Sequence, residues 1–206
     1  MRKTDEKSAM NVDAVELARS RYLNDVVGFR FWQDRRGTYM AKHPHWSSYS
    51  YKIVIIDDFT LMITGDMGTY VFERGDIASM FVGDPKKEPH INPEYWSQKL
   101  VAQDRYSPMM EFSHQKFIDV MVDEFRRWEF RPGANRMAVW KRFRADVLEA
   151  DVRSYEMAVQ VIEDFDVADA TGNRWYLTDI GELNFNEYGF HYLWCLWAIV
   201  YTLKSL

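Results

Sequence analysis

The sequence predicts an α+β fold, an antiparallel β-meander of three to four strands packed against a helical second half. Three observations carry that expectation. In the run SYSYKIVII, Tyr49, Tyr51, Ile53 and Ile55 alternate with Ser50, Lys52 and Val54, and period two places the first set on one face of a sheet. The segments Leu61–Thr64 and Thr69–Glu73 are joined by Gly65-Asp66-Met67-Gly68, a connection whose terminal glycines favour a tight hairpin. After Gly75 the apolar spacing changes to steps of three and four. Strands first and helices later indicate α+β rather than a wound parallel sheet.

Each element follows in order. Residues 1–10 read as a flexible tail and 11–206 as a single α+β domain, with its sheet part near 28–75 and its mainly helical part over 76–206. Asn11 is placed to cap a helix whose apolar stripe is Val15, Ala18, Tyr22 and Val26, and Gly28 ends it. Phe29–Trp32 reads as a short strand before the polar turn Asp34–Gly37. Asp57 and Asp58 favour the next turn. Asn92-Pro93-Glu94 is a strong helix start, since Asn caps, Pro suits the first position and Glu meets the positive end; the pattern extends that helix through Lys99 and Leu100. Ser113 caps a helix with the stripe Phe117, Val120, Met121, Phe125 and Trp128, which Arg131-Pro132-Gly133 breaks. Met137, Trp140, Phe143 and Val147 mark another, and Tyr155, Ala158, Val159 and Ile162 a fourth. Thr171-Gly172-Asn173 reads as a turn before an extended piece, Trp175–Thr178. Asn184 with Glu187 forms a capping pair before the last apolar helix.

Composition sets the class. Aromatics are 16% of the 206 residues, with 8 Trp, 12 Tyr and 13 Phe; each buried ring removes about 150–250 Å² from water, so a large core is within reach. The single cysteine, Cys195, excludes an internal disulfide and a cysteine-built zinc site. The polar start MRKTDEKSAM lacks the apolar stretch of a secretory signal. The apolar run Tyr192–Leu203 is shorter than the roughly 20 residues of a bilayer span. A cytoplasmic protein without membrane association is therefore expected. The net charge of −5 is too mild to indicate a nucleic-acid mimic.

No familiar catalytic signature is present. The chain has no Gly-x-Ser-x-Gly elbow, Walker loop or dinucleotide fingerprint, and no cofactor is expected. His43 and His45 flank Pro44 without a third ligand at a diagnostic spacing, and read as a solvated loop. His191 reads as a boundary residue of a buried helix. Asp57, Asp58 and Asp66 could gather at sheet ends around a divalent cation, although Asp is also a favoured turn residue.

The strongest local feature is basic. Arg126, Arg127, Arg131, Arg136, Lys141, Arg142 and Arg144 fall within nineteen positions opposed by Glu129, with Trp128, Phe130, Trp140 and Phe143 interleaved. Such a mixture suits a partner or nucleic-acid surface. The acidic stretch that follows, from Asp146 to Asp169, offers ion-pair partners that would neutralise it.

ITGDMGTYVF at Ile63–Phe72, then Asp76-Ile77, INPEYW at Ile91–Trp96 with Lys99-Leu100, and CLWAIV at Cys195–Val200 together resemble an uncharacterised family of tailed-phage and prophage accessory proteins. The blocks span about 49–104 and 186–201. The chain departs from the family pattern before Gly65, where an aromatic–Pro–Gly turn is usual, and after Val200, where a Gly turn is usual. No catalytic residue can be carried over. The resemblance implies a phage protein in the bacterial cytoplasm that binds a host protein or ribonucleoprotein complex. Inhibitors of host defence such as anti-CRISPR proteins are the leading class by analogy. Nucleic-acid binding through residues 126–144 and a metal-dependent enzyme with an unfamiliar site are the alternatives.

Overall fold

Two sets of apolar side chains become buried, and no residue belongs to both. The computed structural model describes residues 3–130, 132–168, 172, 174–177 and 180–205, with side chains from Asp13 onward. Where the sequence reading takes 11–206 as one domain, the described residues form two compact units. The first is built from the chain up to Met109 and from Tyr188 onward, and the second is Met110–Glu187. The second unit is therefore an insertion within the first.

The first unit contains α1 (Lys3–Asp25) and a six-stranded antiparallel meander. Its strands are β1 (Arg30–Arg35), β2 (Thr38–Lys42), β3 (Tyr51–Ile56), β4 (Thr60–Gly65), β5 (Gly68–Glu73) and β6 (Leu100–Gln103), in sequence order across the sheet. Two short helices, α2 (Ile77–Val82) and α3 (Pro93–Ser97), lie between β5 and β6 in sequence. The alternation that predicts β3 holds from Tyr51, since Tyr51 and Ile53 are buried with Leu61, Ile63, Tyr70 and Phe72 of the next two strands. At β4–β5 Gly65 pairs with Gly68. A Cβ on Gly65 would lie 2.2 Å from the Ser50 carbonyl oxygen, and Gly68 has φ +105°, so both positions need glycine. Asp57 and Asp58 both adopt positive φ, and the Phe59 N–H donates to the Ile56 carbonyl at 3.0 Å, as a type I′ hairpin turn requires.

Several boundaries differ from the sequence reading. The expected tail 1–10 is helical from Lys3, in a stretch carrying the strong helix formers Glu, Lys, Ala and Met; Asn11 lies inside α1 rather than at its start. Tyr49 has φ +61° and stands outside β3. Asn92 caps α3 as expected, accepting from the Tyr95 N–H at 3.0 Å, but the helix stops at Ser97. Leu100 instead opens β6, pairing with Phe72, because the outer edge of β5 would otherwise leave its backbone groups without partners. The meander thus has six strands where three to four are expected; β2 and β6 are the additions.

Helix α7 (Phe190–Lys204) organises the first core. Ten of its residues are buried, including the unbroken run Tyr192–Val200, and a helix that is apolar all round has to be enclosed. Tyr192 meets Tyr70 edge to face at 5.5 Å, and Trp194 meets Tyr22 and Tyr51 at 5.1 and 5.6 Å. Several of the polar atoms these rings bring inside are matched. Tyr51 Oη lies 3.0 Å from Tyr22 Oη and 2.8 Å from Thr202 Oγ1. Trp194 Nε1–H donates to Asp25 at 3.0 Å and Trp197 Nε1–H to the Val15 carbonyl at 2.9 Å. Burial pushes the Tyr22 phenol up to about 12 and Tyr51 well above its ordinary value, so both remain hydrogen-bonding hydroxyls. Truncating a buried ring of this kind costs about 3–5 kcal/mol, comparable with the whole stability of a small domain. No helix among the described residues is long and apolar enough to cross a membrane.

The second unit contains β7 (Met110–Phe112), α4 (His114–Arg127), α5 (Arg136–Phe143), a π-helical turn (Arg144–Leu148), α6 (Tyr155–Glu163), β8 (Asp166–Ala168), β9 (Arg174–Tyr176), a 3₁₀ turn (Ile180–Glu182) and the first two residues of β10 (Asn186–Tyr188). Strand β7 pairs with β10, and β8 with β9. Ser113 caps α4 as expected, accepting from the Lys116 N–H at 3.2 Å. Phe117, Met121 and Phe125 of α4 meet Val139, Phe143, Val147, Ala158, Ile162, Phe165 and Phe185 in the second core. The Asn184–Glu187 capping pair does not form. Asn184 accepts from the Asn186 N–H at 2.9 Å in a local turn, Glu187 lies in β10, and α7 begins after Gly189 without a side-chain cap. Thr171, Asn173 and Thr178 of the expected turn and extended piece lie outside the described residues.

The two points at which the first unit is interrupted are adjacent, since the Gly189 N–H donates to the Met109 carbonyl at 2.8 Å. Closing so short a gap costs little chain entropy. A chain with residues 110–187 replaced by a short Gly-Ser linker is expected to keep the near-UV circular dichroism of the buried tryptophans and to unfold cooperatively; a spectrum without tertiary signal would contradict this.

Candidate partner-binding groove

A groove of about 930 Å³ lies wholly within the second unit. One wall is α4, which contributes His114, Gln115, Ile118, Val122, Phe125 and Arg126. These positions follow the helical repeat along a stripe beside the buried residues Phe117 and Met121. The other wall is α5 with the π-helical turn, contributing Arg136, Met137, Trp140, Arg144, Leu148 and Glu149. Here Arg136, Trp140, Arg144 and Leu148 recur every four residues, while Val139, Phe143 and Val147, each one position earlier than the last three, fill the core. The Glu149 N–H reaches back five residues to the Arg144 carbonyl at 2.9 Å, the bond that defines a π turn. Such turns occur often at functional sites.

The groove floor is apolar. Phe125 and Trp140 meet at 4.7 Å between ring centroids and close its base. Ile118, Val122 and Leu148 are half-buried, while Met137 is 63% exposed. The basic residues are divided in their roles. Arg126, Arg136 and Arg144 line the groove; Arg127, Lys141 and Arg142 are exposed but do not. Arg131 lies outside the described residues. Arg126 pairs with Asp123 at 3.1 Å, Arg127 with Glu124, Arg142 with Asp146 and Arg144 with Glu149 at 2.7 Å. The neutralising carboxylates thus come from both sides of the basic segment. These bridges are solvent-exposed, worth about 0–1 kcal/mol each, and are readily exchanged for a partner's groups.

Arg136 differs from the other two groove-lining arginines. It has no carboxylate partner among the described residues, and its guanidinium lies over Phe125 and Phe130, 5.7 and 5.2 Å from the ring centroids. It is also the first residue of α5, where the helix macrodipole is positive and disfavours a cation. Of the four interleaved aromatics, Phe143 is fully buried, Trp128 and Phe130 pack against the core, and Trp140 alone lines the groove. Sequence reasoning missed Ile118, Val122, Met137 and Leu148. Their signal is a second apolar stripe, one residue after Phe117, Met121 and Val147 and two before Val139, wider than the core needs.

Elsewhere the candidate groups are held by structure. His43 is buried rather than in a solvated loop: it stacks on Trp46, accepts from the His45 N–H at 3.1 Å, and sits 3.0 Å from where a Cβ on Gly28 would be. Desolvation, with His45 nearby, lowers its pKa. Asp57 and Asp58 precede β4 and Asp66 follows it, so the six residues of that strand hold them about 20 Å apart. Among the described residues no group of three or more His, Cys, Asp or Glu side chains converges on a common point. Cys195 is buried, and burial pushes its thiol far above its ordinary value.

One contact mimics a nucleophile and base. Ser107 Oγ and His191 Nδ1 share a hydrogen bond of 3.1 Å, and sequence spacing gives no hint of it. Ser107 is buried. Asp104 is fully engaged nearby, accepting from the backbone N–H groups of Thr69 at 2.6 Å, Tyr106 at 2.8 Å and Ser107 at 2.9 Å. Burial raises the Asp104 pKa, but those three donors, with His191, outweigh it and hold the carboxyl below its ordinary value. The arrangement anchors the segment after β6 to the start of β5.

Comparison with protein-family models, curated proteins and solved structures returned no match.

Because its folded pKa is depressed, Asp104 contributes stability above the ordinary carboxylate range, and that contribution is lost as pH falls through the folded value. Asp104→Ala is expected to cost about 1–3 kcal/mol at neutral pH in urea unfolding. The gap from the parent should narrow in acid, where the parent's own carboxylate is protonated. A gap independent of pH would rule out the carboxylate as its source.

Proposed function

We propose that this protein acts by binding rather than by catalysis, and that it does so through the groove of its second unit. The observation that carries the reading is an apolar floor containing Trp140 and exposed Met137, rimmed by Arg126, Arg136 and Arg144. Trp, Met and Arg are the side chains most enriched at protein interfaces and their hot spots. A monomer gains nothing by exposing such a combination to water.

The sequence resemblance to tailed-phage accessory proteins supports a host partner, a nucleic-acid-handling defence complex, with the protein as its inhibitor in the manner of an anti-CRISPR protein. Nucleic acid itself is the competing occupant for the same arginines. The groove floor weighs against it, since apolar side chains and a single half-exposed ring suit a protein's apolar face better than a run of stacked bases.

The test is capture from a host carrying an active defence system, with phage plating efficiency scored in parallel. The parent protein is expected to retain a defence complex and to restore plating. The double variant Arg136→Glu with Trp140→Ala, folded by circular dichroism, should lose both. Equal capture by parent and variant, or no protection by the parent, would defeat the reading.

A further inference from the structure

We infer that the groove's occupant is an acidic, amphipathic α-helix of about three turns belonging to the partner protein; this rests on the binding reading above and specifies its chemistry. Length comes first. The α4 wall is lined from His114 to Arg126, twelve residue steps or about 18 Å at 1.5 Å per residue. A helix of three turns spans the same distance and presents apolar side chains at i, i+4 and i+7 to one groove.

The shape of the floor agrees. Its apolar side chains come from two helical walls, Ile118 and Val122 on one and Met137, Trp140 and Leu148 on the other. A single ridge of side chains fits between two such rows, as in ridges-into-grooves packing. A base-stacking platform would need aromatic faces in succession, and Trp140 is the groove's one half-exposed aromatic.

Charge then sets the ends. Arg126 and Arg136 lie beside Phe125, where α4 ends and α5 begins, and the amino-terminal end of α5 adds its own positive field. Of the three groove-lining arginines Arg136 is the one without a carboxylate partner among the described residues, so that end of the groove has an unmet positive potential. Carboxylates flanking the occupant's apolar ridge would pair with Arg136 and take over Arg126 from Asp123. A basic occupant would bring like charge to the same place, which costs several kcal/mol in an interface.

The experiment uses the full chain and fluorescence polarisation with labelled helical peptides of about fourteen residues. One peptide is acidic and amphipathic, the second has its acids replaced by lysine, and the third is a scramble of the first without an apolar face. A single-stranded oligonucleotide is the fourth probe. The acidic amphipathic peptide is expected to bind at least about tenfold more tightly than the rest, the difference one desolvated charge pair or anchor supplies. Arg136→Glu and Trp140→Ala should each weaken it about tenfold or more. Arg35→Glu, the same charge change in the first unit, should leave it unchanged. On Arg136→Glu the lysine peptide should recover relative to the acidic one, a swap that misfolding cannot produce.

Equal binding of the acidic, lysine and scrambled peptides would overturn the inference, as would tighter binding of the oligonucleotide. If no peptide binds while capture of the host complex remains sensitive to Arg136→Glu with Trp140→Ala, the helical occupant is wrong and the binding reading stands. If both fail, both fall.

Discussion

A helix that is apolar around its whole circumference has no solvent face, and α7 is such a helix. Its fifteen residues fill the space bounded by the inner face of the meander and by α1, and its two tryptophans, two tyrosines and Thr202 bring hydroxyl and indole groups that each need a partner. Those partners are distant in sequence: Asp25, Val15 and Arg19 in α1, Tyr51 in β3, and the Pro93 carbonyl at the start of α3. The first unit therefore cannot complete its core until the last residues of the chain return. A segment placed between β6 and α7 can vary without entering that core, provided its ends stay close, and Met109 and Gly189 are hydrogen-bonded neighbours.

The second unit uses that freedom. Helices α4 and α5 each carry two adjacent stripes, one spent on the core and one left on the surface. Along α4 the first is Phe117, Met121 and Phe125 and the second Ile118 and Val122; along α5 and the π turn the first is Val139, Phe143 and Val147 and the second Arg136, Trp140, Arg144 and Leu148. Ion pairs with near neighbours in sequence satisfy most of the arginines at small gain. Among the described residues Arg136 is the exception, held over two rings at the positive end of α5. A buried and paired arginine would be a structural feature, whereas an exposed one without a carboxylate, beside an apolar floor, is what the proposed binding role draws on.

What could be read from the sequence was whatever is decided locally. The alternation from Tyr51 to Ile55, the Gly65–Gly68 hairpin, and the Asn92 and Ser113 caps depend on residues within a few positions of one another, and each forms. Strand β6 was not legible, because Leu100–Gln103 is extended only by virtue of the β5 edge it covers. The Asn184–Glu187 pair had the right spacing for a cap, yet Asn184 found a nearer donor in the Asn186 N–H. The division into two cores was hidden for a different reason. It is decided by which distant residues α7 meets, and periodicity holds no information about that. The groove lay between these cases: its arginines were visible as a cluster, but the floor could be told from the core only once the core had taken its own stripe.

Native-state amide hydrogen exchange across a denaturant series tests most directly whether α7 commits the first unit to its own core and leaves the second as a separately stabilised insertion. The α7 amides from Leu193 to Val200 are expected to share one exchange isotherm with β3, β4 and β5, while α4 and α5 follow another with a different free energy. An isotherm that groups α7 with α4 and α5, or α7 amides that exchange while the meander remains protected, would contradict this.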